Sequence, residues 1–253
     1  MSQSEAQLFE VFNSFQGEGI FVGERQTFVR FSGCNLSCSY CDTLASQEIV
    51  KEYKVESVPG KKDTKLISNP VTASQLFELI DSYDKPKNSN HSLCLTGGEP
   101  LLQSGFIKSF LEQYKKAIKI PVYLESNGTL PDHLSEVVDL LDIIAMDIKL
   151  SSATGLSNYW KEHKKFLEVA YMKQVFVKLV FTKETHANEI DEAAELIASV
   201  DENIPLVLQP VSPHGPVKHR PSLEQMFAFF NIAKRKLSKV RLIPQAHKIL
   251  SLS

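Results

Sequence analysis

Three cysteines crowd together in Cys34-Asn35-Leu36-Ser37-Cys38-Ser39-Tyr40-Cys41, a C-x3-C-x2-C run. Thiolates at this spacing can hold three irons of a 4Fe–4S cluster, whereas a fully ligated cluster takes four. The fourth cysteine, Cys94, lies far along the chain in an apolar run and reads as a small buried hydrophobe. One iron would then stay open. An open iron on a reducible cluster can bind and split S-adenosylmethionine (SAM), which is an entry to radical chemistry. Zinc and redox-active thiols compete for the same residues. Zinc wants four protein ligands when structural, or His and carboxylate help when catalytic, and no fourth Cys or His lies near the run. A disulfide framework suits neither the length of the chain nor this crowding.

Thr96-Gly97-Gly98-Glu99-Pro100 is the second place where chemistry is implied. Two glycines let a ligand approach the backbone closely, and Glu99 offers a carboxylate to an ammonium group. A Gly-Gly turn followed by Glu is common in itself. Beside the cysteine run it becomes part of a coherent site.

These residues need a frame. Short apolar runs at Phe28–Phe31, Leu93–Thr96, Pro121–Glu125, Ile143–Ile148, Val175–Phe181 and Pro205–Leu208 read as six strands of a buried parallel sheet. Helical spacing fills the gaps, at Leu76/Leu79/Ile80/Tyr83 behind a Thr72–Gln75 capping box, at Ile107/Phe110/Leu111/Tyr114, at Leu134/Val137/Val138/Leu141 and at Ile190/Ala194/Ile197. Leu223, Met226, Phe227 and Phe230 mark a last helix, whose large apolar residues are expected in the core. Strand–helix alternation makes right-handed units, and six of them predict an α/β fold, a partial (β/α)6 TIM-like barrel. Ligands of such sheets sit beyond the carboxyl ends of the strands. The cysteine run, Gly97-Gly98-Glu99, Ser126-Asn127, Asp147-Ile148-Lys149 and Gln209-Pro210 all fall there.

At 253 residues with a net charge of −2, residues 1–253 are expected to form a single domain without bulk affinity for nucleic acid. No apolar stretch is long enough to span a bilayer, and Met1–Glu10 is unlike a signal peptide. Clustered reduced thiols suit a cytoplasmic location. The polar, Lys-rich stretch 44–69 interrupts the pattern and is expected to be a mobile insertion, either a lid or a solvated excursion.

The pairing of C-x3-C-x2-C with the Gly-Gly-Glu strand resembles the radical SAM enzymes. Phe12-Asn13-Ser14-Phe15-Gln16-Gly17-Glu18-Gly19, Phe28-Val29-Arg30, the cluster run with Asp42-Thr43 behind it, and Leu242-Ile243-Pro244-Gln245-Ala246-His247-Lys248 are more specific. Their order resembles the 7-carboxy-7-deazaguanine synthase family of queuosine biosynthesis, over about residues 8–250. Phe15 departs from that pattern, where Leu is more frequent. The chain also continues past His247-Lys248, so a contact from the terminal carboxylate is not expected.

The resemblance implies a radical ring contraction of 6-carboxy-5,6,7,8-tetrahydropterin to 7-carboxy-7-deazaguanine, with loss of ammonia, catalytic SAM and a need for Mg2+. It implies that Cys34, Cys38 and Cys41 ligate the 4Fe–4S cluster. Tyr40, Cys41, Asp42, Gly98, Glu99, Ser126, Asp147, Ile148, Lys149, Gln209 and Pro210 would surround cluster and SAM. Phe15, Gln16, Gly17, Glu18, Arg30, Thr96 and His247 would meet the pterin, with Thr43 on magnesium. Arg30 as an ordinary ion pair, Thr43 as a helix cap and His247 as a structural histidine are the competing readings. Flavodoxin or ferredoxin as electron donor and a homodimer are further expectations. A glycyl-radical-activating enzyme shares the cluster run and the Gly-Gly strand, but has no need of Phe15-Gln16-Gly17, Arg30 and Thr43 together. A zinc- or cluster-binding regulatory protein is the non-enzymatic rival.

Overall fold

The computed structural model describes residues 4–250 apart from 62, 84, 85 and 88. Its main sheet has ten strands: β2 (Leu8–Phe15), β3 (Arg25–Phe31), β4 (Glu52–Glu56), β5 (Thr64–Ser68), β7 (Ser92–Gly97), β8 (Val122–Ser126), β9 (Ile143–Ile148), β10 (Gln174–Phe181), β11 (Leu206–Pro210) and β12 (Val240–Leu242). The order is β12-β11-β10-β9-β8-β7-β3-β2-β4-β5. The six strands expected from the sequence are its parallel centre, β3 and β7 to β11. A small β1–β6 pair (Glu5–Ala6, Val71–Thr72) stands apart. The helices α1 (Ala73–Tyr83), α2 (Ser104–Ala117), α3 (Pro131–Val137), α4 (Ser151–Thr154), α5 (Trp160–Ala170), α6 (Ala187–Ala198), α7 (Leu223–Lys234) and α8 (Ala246–Ile249) complete the chain. Thr72 and Gln75 form the expected box ahead of α1, each accepting from the other's backbone N–H.

Strand residues alternate between two cores. One, between sheet and helices, is built on Val29, Leu95, Leu124, Ile144, Val177 and Leu208 with the inner faces of α1 to α7. The other fills the bore and contains Phe12, Phe28, Cys94, Tyr123, Ile143, Ala145, Phe176 and Val207. The turn Gly19–Phe21 folds up into that bore, where the Phe21 ring meets His91, Tyr123 and Phe176. Gly19, at φ 70°, has no room for a β-carbon, which would sit 2.6 Å from the Phe176 ring. One register step toward the carboxyl ends the inward residues turn polar. Arg30 lies opposite Thr96, Glu125 opposite Ala145, Lys178 opposite Asp147, and Val180 opposite Gln209.

Two expectations need correction. The stretch 44–69 is not a loose excursion: after a short turn at Leu44–Gln47 it forms the antiparallel β4–β5 hairpin, and β4 adds in parallel to β2. Tyr53 and Val55 are buried against the sheet, so alternate apolar residues anchor a segment whose outer strand is wholly exposed. Along α7 the buried residues are Phe229 and Ala233, while Leu223 and Phe227 are 66% and 61% exposed. Periodicity marked the helix correctly but not which of its faces packs inward.

Candidate active site

A cavity of about 440 Å³ opens at the carboxyl ends of the strands, and the cysteine run and the polar layer of the bore line it together. The cysteine loop is held from several sides. Gly33 N–H donates to Ser46 O, Ser39 N–H to Thr154 O and Cys41 N–H to Cys38 O. Asn35 donates to Thr129 and accepts from Asn127, which fastens the loop to the end of β8. The Gly-Gly turn proves to serve this same purpose. A β-carbon on Gly98 would stand 2.1 Å from Gly33 O, and one on Gly97, at φ 149°, 2.4 Å from Phe31 O. The close approach that glycine permits is therefore to the chain's own cluster loop.

Cys34, Cys38 and Cys41 are free thiols that line the cavity. Burial pushes the Cys34 and Cys38 thiols up, so the loop favours protons until a metal displaces them. Among the described residues no fourth thiol or histidine joins them. Cys94 is fully buried in the bore, and the one His-carboxylate group close enough to hold an ion, Glu18/Asp42/His247, contains none of the three. A three-thiolate set with an open position suits a cluster rather than structural zinc.

Beside the loop, several polar atoms are buried without a partner. They are the Tyr40 hydroxyl, Asp147 Oδ1 and both ends of the Gln209 amide, which is 1% exposed. All three residues line the cavity. Buried orphans of this kind carry a desolvation cost that a polar ligand relieves. Lys149 reaches Asp147 Oδ2 at 2.8 Å and lies 5.5 Å over the Tyr40 ring. These features fit a zwitterionic nucleoside such as SAM next to the thiols.

Other residues expected around SAM sit elsewhere. Glu99 does not reach the cavity. It is wholly buried and accepts from Leu101 N–H, Asn127 N–H and the Ser126 hydroxyl. Burial raises its carboxyl to about 7 despite those donors. It holds the β8 end, while Ser126 does line the cavity. Ile148 is fully buried among core side chains, and Pro210 ends β11 behind Gln209. Asp42, by contrast, does line the cavity, with its carboxylate turned toward the C-terminal turn, 3.1 Å from Lys248 and from Gln245.

The opposite half of the cavity is internally paired. Gln16 donates to Glu125 Oε1 at 2.9 Å and the Thr96 hydroxyl to Oε2 at 2.8 Å. Arg30 uses Nε on Glu10 at 2.7 Å and stacks 5.7 Å over Phe12. That ion pair leaves both terminal guanidinium nitrogens for a carboxylate. Lys178 bonds Glu18 and lies 3.5 Å from Asp147. Burial alone would push its ammonium down, but the Asp147, Glu18 and Glu125 carboxylates outweigh that and hold it above the usual lysine range. Breaking a buried pair of this kind costs about 3–5 kcal/mol. Gly17 gives the C-terminal turn its seat: a β-carbon there would lie 2.4 Å from His247, and Ala246 N–H donates to Gly17 O. His247 stands 4.0 Å from Glu18 and 3.8 Å from Asp42. Phe15, half-exposed, forms part of the rim. Thr43 makes no side-chain cap to the turn that follows, and its hydroxyl lies 3.8 Å from Cys41 Sγ. The cap reading of Thr43 therefore falls, whereas Arg30 does form the ion pair and still lines the cavity.

Sequence reading missed Glu125 and Lys178. Lys178 interrupts the apolar run Val175–Phe181, and that interruption was the signal available, whereas Glu125 closes its run beside Ser126 and gives no comparable local signal.

The radical SAM superfamily model matches residues 28–197, so the fold and the three-cysteine loop belong to a radical SAM enzyme. A 4Fe–4S cluster and SAM go with that class. The 7-carboxy-7-deazaguanine synthase of Geobacter sulfurreducens is 40% identical over 254 aligned residues, covering 99% of each chain. That of Archaeoglobus fulgidus is 35% identical, covering 97% of this chain and 98% of its own. The chain belongs to the 7-carboxy-7-deazaguanine synthase family. The crystal structure of QueE from Escherichia coli shares the fold at a TM-score of 0.63 with 20% identity, covering 96% of this chain and 95% of that one.

Proposed function

We propose that this enzyme contracts 6-carboxy-5,6,7,8-tetrahydropterin to 7-carboxy-7-deazaguanine with release of ammonia, in the 7-deazapurine pathway to queuosine. The observation that carries the reading is a single cavity with three free thiols on one side and a paired Arg30–Thr96–Glu125–Gln16 layer on the other. The family relatives support it and lend nothing to the activating-enzyme alternative.

Cys34, Cys38 and Cys41 would hold the cluster, with SAM against Tyr40, Gly98, Ser126, Asp147, Lys149 and Gln209. Cluster and SAM together supply one-electron hydrogen abstraction. The chain's residues bind and orient the substrate. Arg30 receives the pterin carboxylate through its outer guanidinium edge. Glu125, held by Gln16 and Thr96, accepts from ring N–H groups. Phe12 and Phe28 lie under the ring, and Phe15 and His247 flank it. Thr43 would offer one oxygen to Mg2+, a cation that prefers oxygen ligands. Glu18 and Asp42 are already neutralised by Lys178 and Lys248, so they need not serve as primary ligands.

One compact domain, a cytoplasmic location, a flavodoxin or ferredoxin donor and a homodimer complete the proposal. Free thiols and the need for single electrons favour a reducing compartment. No helix among the described residues is long and apolar enough to cross a membrane. The test is anaerobic turnover after iron–sulfide reconstitution, with substrate, SAM, magnesium and reductant, read by mass spectrometry. Formation of 7-carboxy-7-deazaguanine supports the reading. SAM cleavage without that product moves the enzyme to another substrate, and zinc without iron removes the radical chemistry altogether.

A further inference from the structure

A line of alternating charge crosses the cavity wall. Lys149 pairs with Asp147, Asp147 faces Lys178, and Lys178 bonds Glu18. Glu18 in turn accepts from Gln245 at 2.9 Å. The two carboxylates come from different parts of the fold. Asp147 is the penultimate residue of β9, on the thiol side, whereas Glu18 belongs to the loop after β2 whose Gln16 side chain holds Glu125. Glu18 N–H also donates to Gln16 Oε1, so the loop moves as a unit with its carboxylate. Among the described residues Lys178 is the one cation that touches both, and its side chain is only 12% exposed.

We propose that Lys178 is a positioning residue that sets the pterin-binding loop in register with the SAM side of the cavity. This rests on the function proposed above. Without the ammonium, Glu18 and Asp147 are like charges sharing a poorly solvated space, and repulsion drives the loop and its Gln16 outward. A bound ring then sits displaced from the thiol side. Abstraction chemistry is sensitive to such displacement: an error of about 1 Å can cost on the order of a hundredfold.

The experiment compares wild type, Lys178→Met, Lys178→Arg and Glu18→Gln. Lys178→Met should keep iron and sulfide content and SAM affinity. Its cluster-free form should bind 6-carboxypterin, followed by pterin fluorescence, about tenfold more weakly, and the loaded enzyme should release about tenfold more 5′-deoxyadenosine per product. Lys178→Arg should recover part of both. Glu18→Gln, which cuts the tether from the other side and leaves Lys178 its contact with Asp147, gives the same uncoupling if Lys178→Met does not fold. Unchanged pterin binding and an unchanged ratio in a folded variant overturn the assignment. So does parallel loss of thermal stability and cluster content with a normal ratio, which marks a purely structural lysine. Failure of wild type to make the deazaguanine product instead overturns the function.

Discussion

The two halves of the cavity are built on opposite plans. On the thiol side, groups wait: burial holds thiols protonated, and Tyr40, Asp147 and Gln209 keep buried polar atoms without partners. On the pterin side nearly every charged group already has its counterpart, Arg30 with Glu10, Lys178 with Glu18, Glu125 with Gln16 and Thr96. The first half is completed by what binds there. The second is preorganised, so its binding energy need not be spent on ordering side chains. A cofactor that stays through many turnovers can be part of the structure, whereas a substrate that comes and goes meets a surface set beforehand.

The largest test of this contrast is Cys38→Ala. It should abolish cluster loading and SAM cleavage, with iron content and 5′-deoxyadenosine both at background, while circular dichroism shows the barrel intact. Cluster-free pterin binding should survive, and its loss would mean the halves are not independent. Arg30→Ala acts on the other half. We expect pterin affinity to fall by about 10- to 100-fold, the range for losing charge-assisted bonds of about 1.5–3 kcal/mol, with the cluster and uncoupled SAM cleavage retained. Unchanged affinity would leave Arg30 only its ion pair. Thr43→Ala should blunt the magnesium response of turnover by several-fold (~1 kcal/mol for one oxygen ligand), and an unaltered magnesium titration would sink that ligand assignment.

A test that leaves turnover aside lies beneath the thiol side. His163 is fully buried. Its Nε2–H donates to Asn127 O at 3.2 Å, and Nδ1 has no partner, so burial lowers the imidazole to about 4. A depressed histidine binds fewer protons folded than unfolded. Its contribution is complete above the unfolded value near 6.5 and fades as pH falls toward 4. The shift corresponds to about 3 kcal/mol. Denaturant melts of the cluster-free protein should therefore lose stability between pH 6.5 and 4, and His163→Gln should flatten that slope. An equally steep slope in the variant would assign it to other groups.

What could be read from the sequence follows from which residues carry unambiguous patterns. The parallel strands are uninterrupted apolar runs because both faces are covered, and the cysteine spacing is itself a ligand geometry. The β2 strand is broken by Glu10, Asn13 and Ser14, and β4–β5 hides a two-residue alternation at Tyr53 and Val55 among lysines. The α7 helix has more large apolar residues than its inner face can bury, so composition could not choose the face. In the site, residues named through short ordered motifs mostly reached the cavity. Glu99 did not, because two of its three donors lie on a neighbouring strand end that no local spacing encodes. Glu125 and Lys178 carry meaning only once register shows that they point inward together.

The aromatic plug at Gly19–Phe21 has a consequence for traffic. Phe12, Phe28 and Ala145 belong both to that plugged core and to the cavity floor, so the bore is stoppered at its far end. The aromatic plug thus backs the part of the cavity wall that these three side chains form. Traffic on that side is therefore closed by packed rings, and ligands reach the thiols from the carboxyl ends of the strands, where the cavity opens.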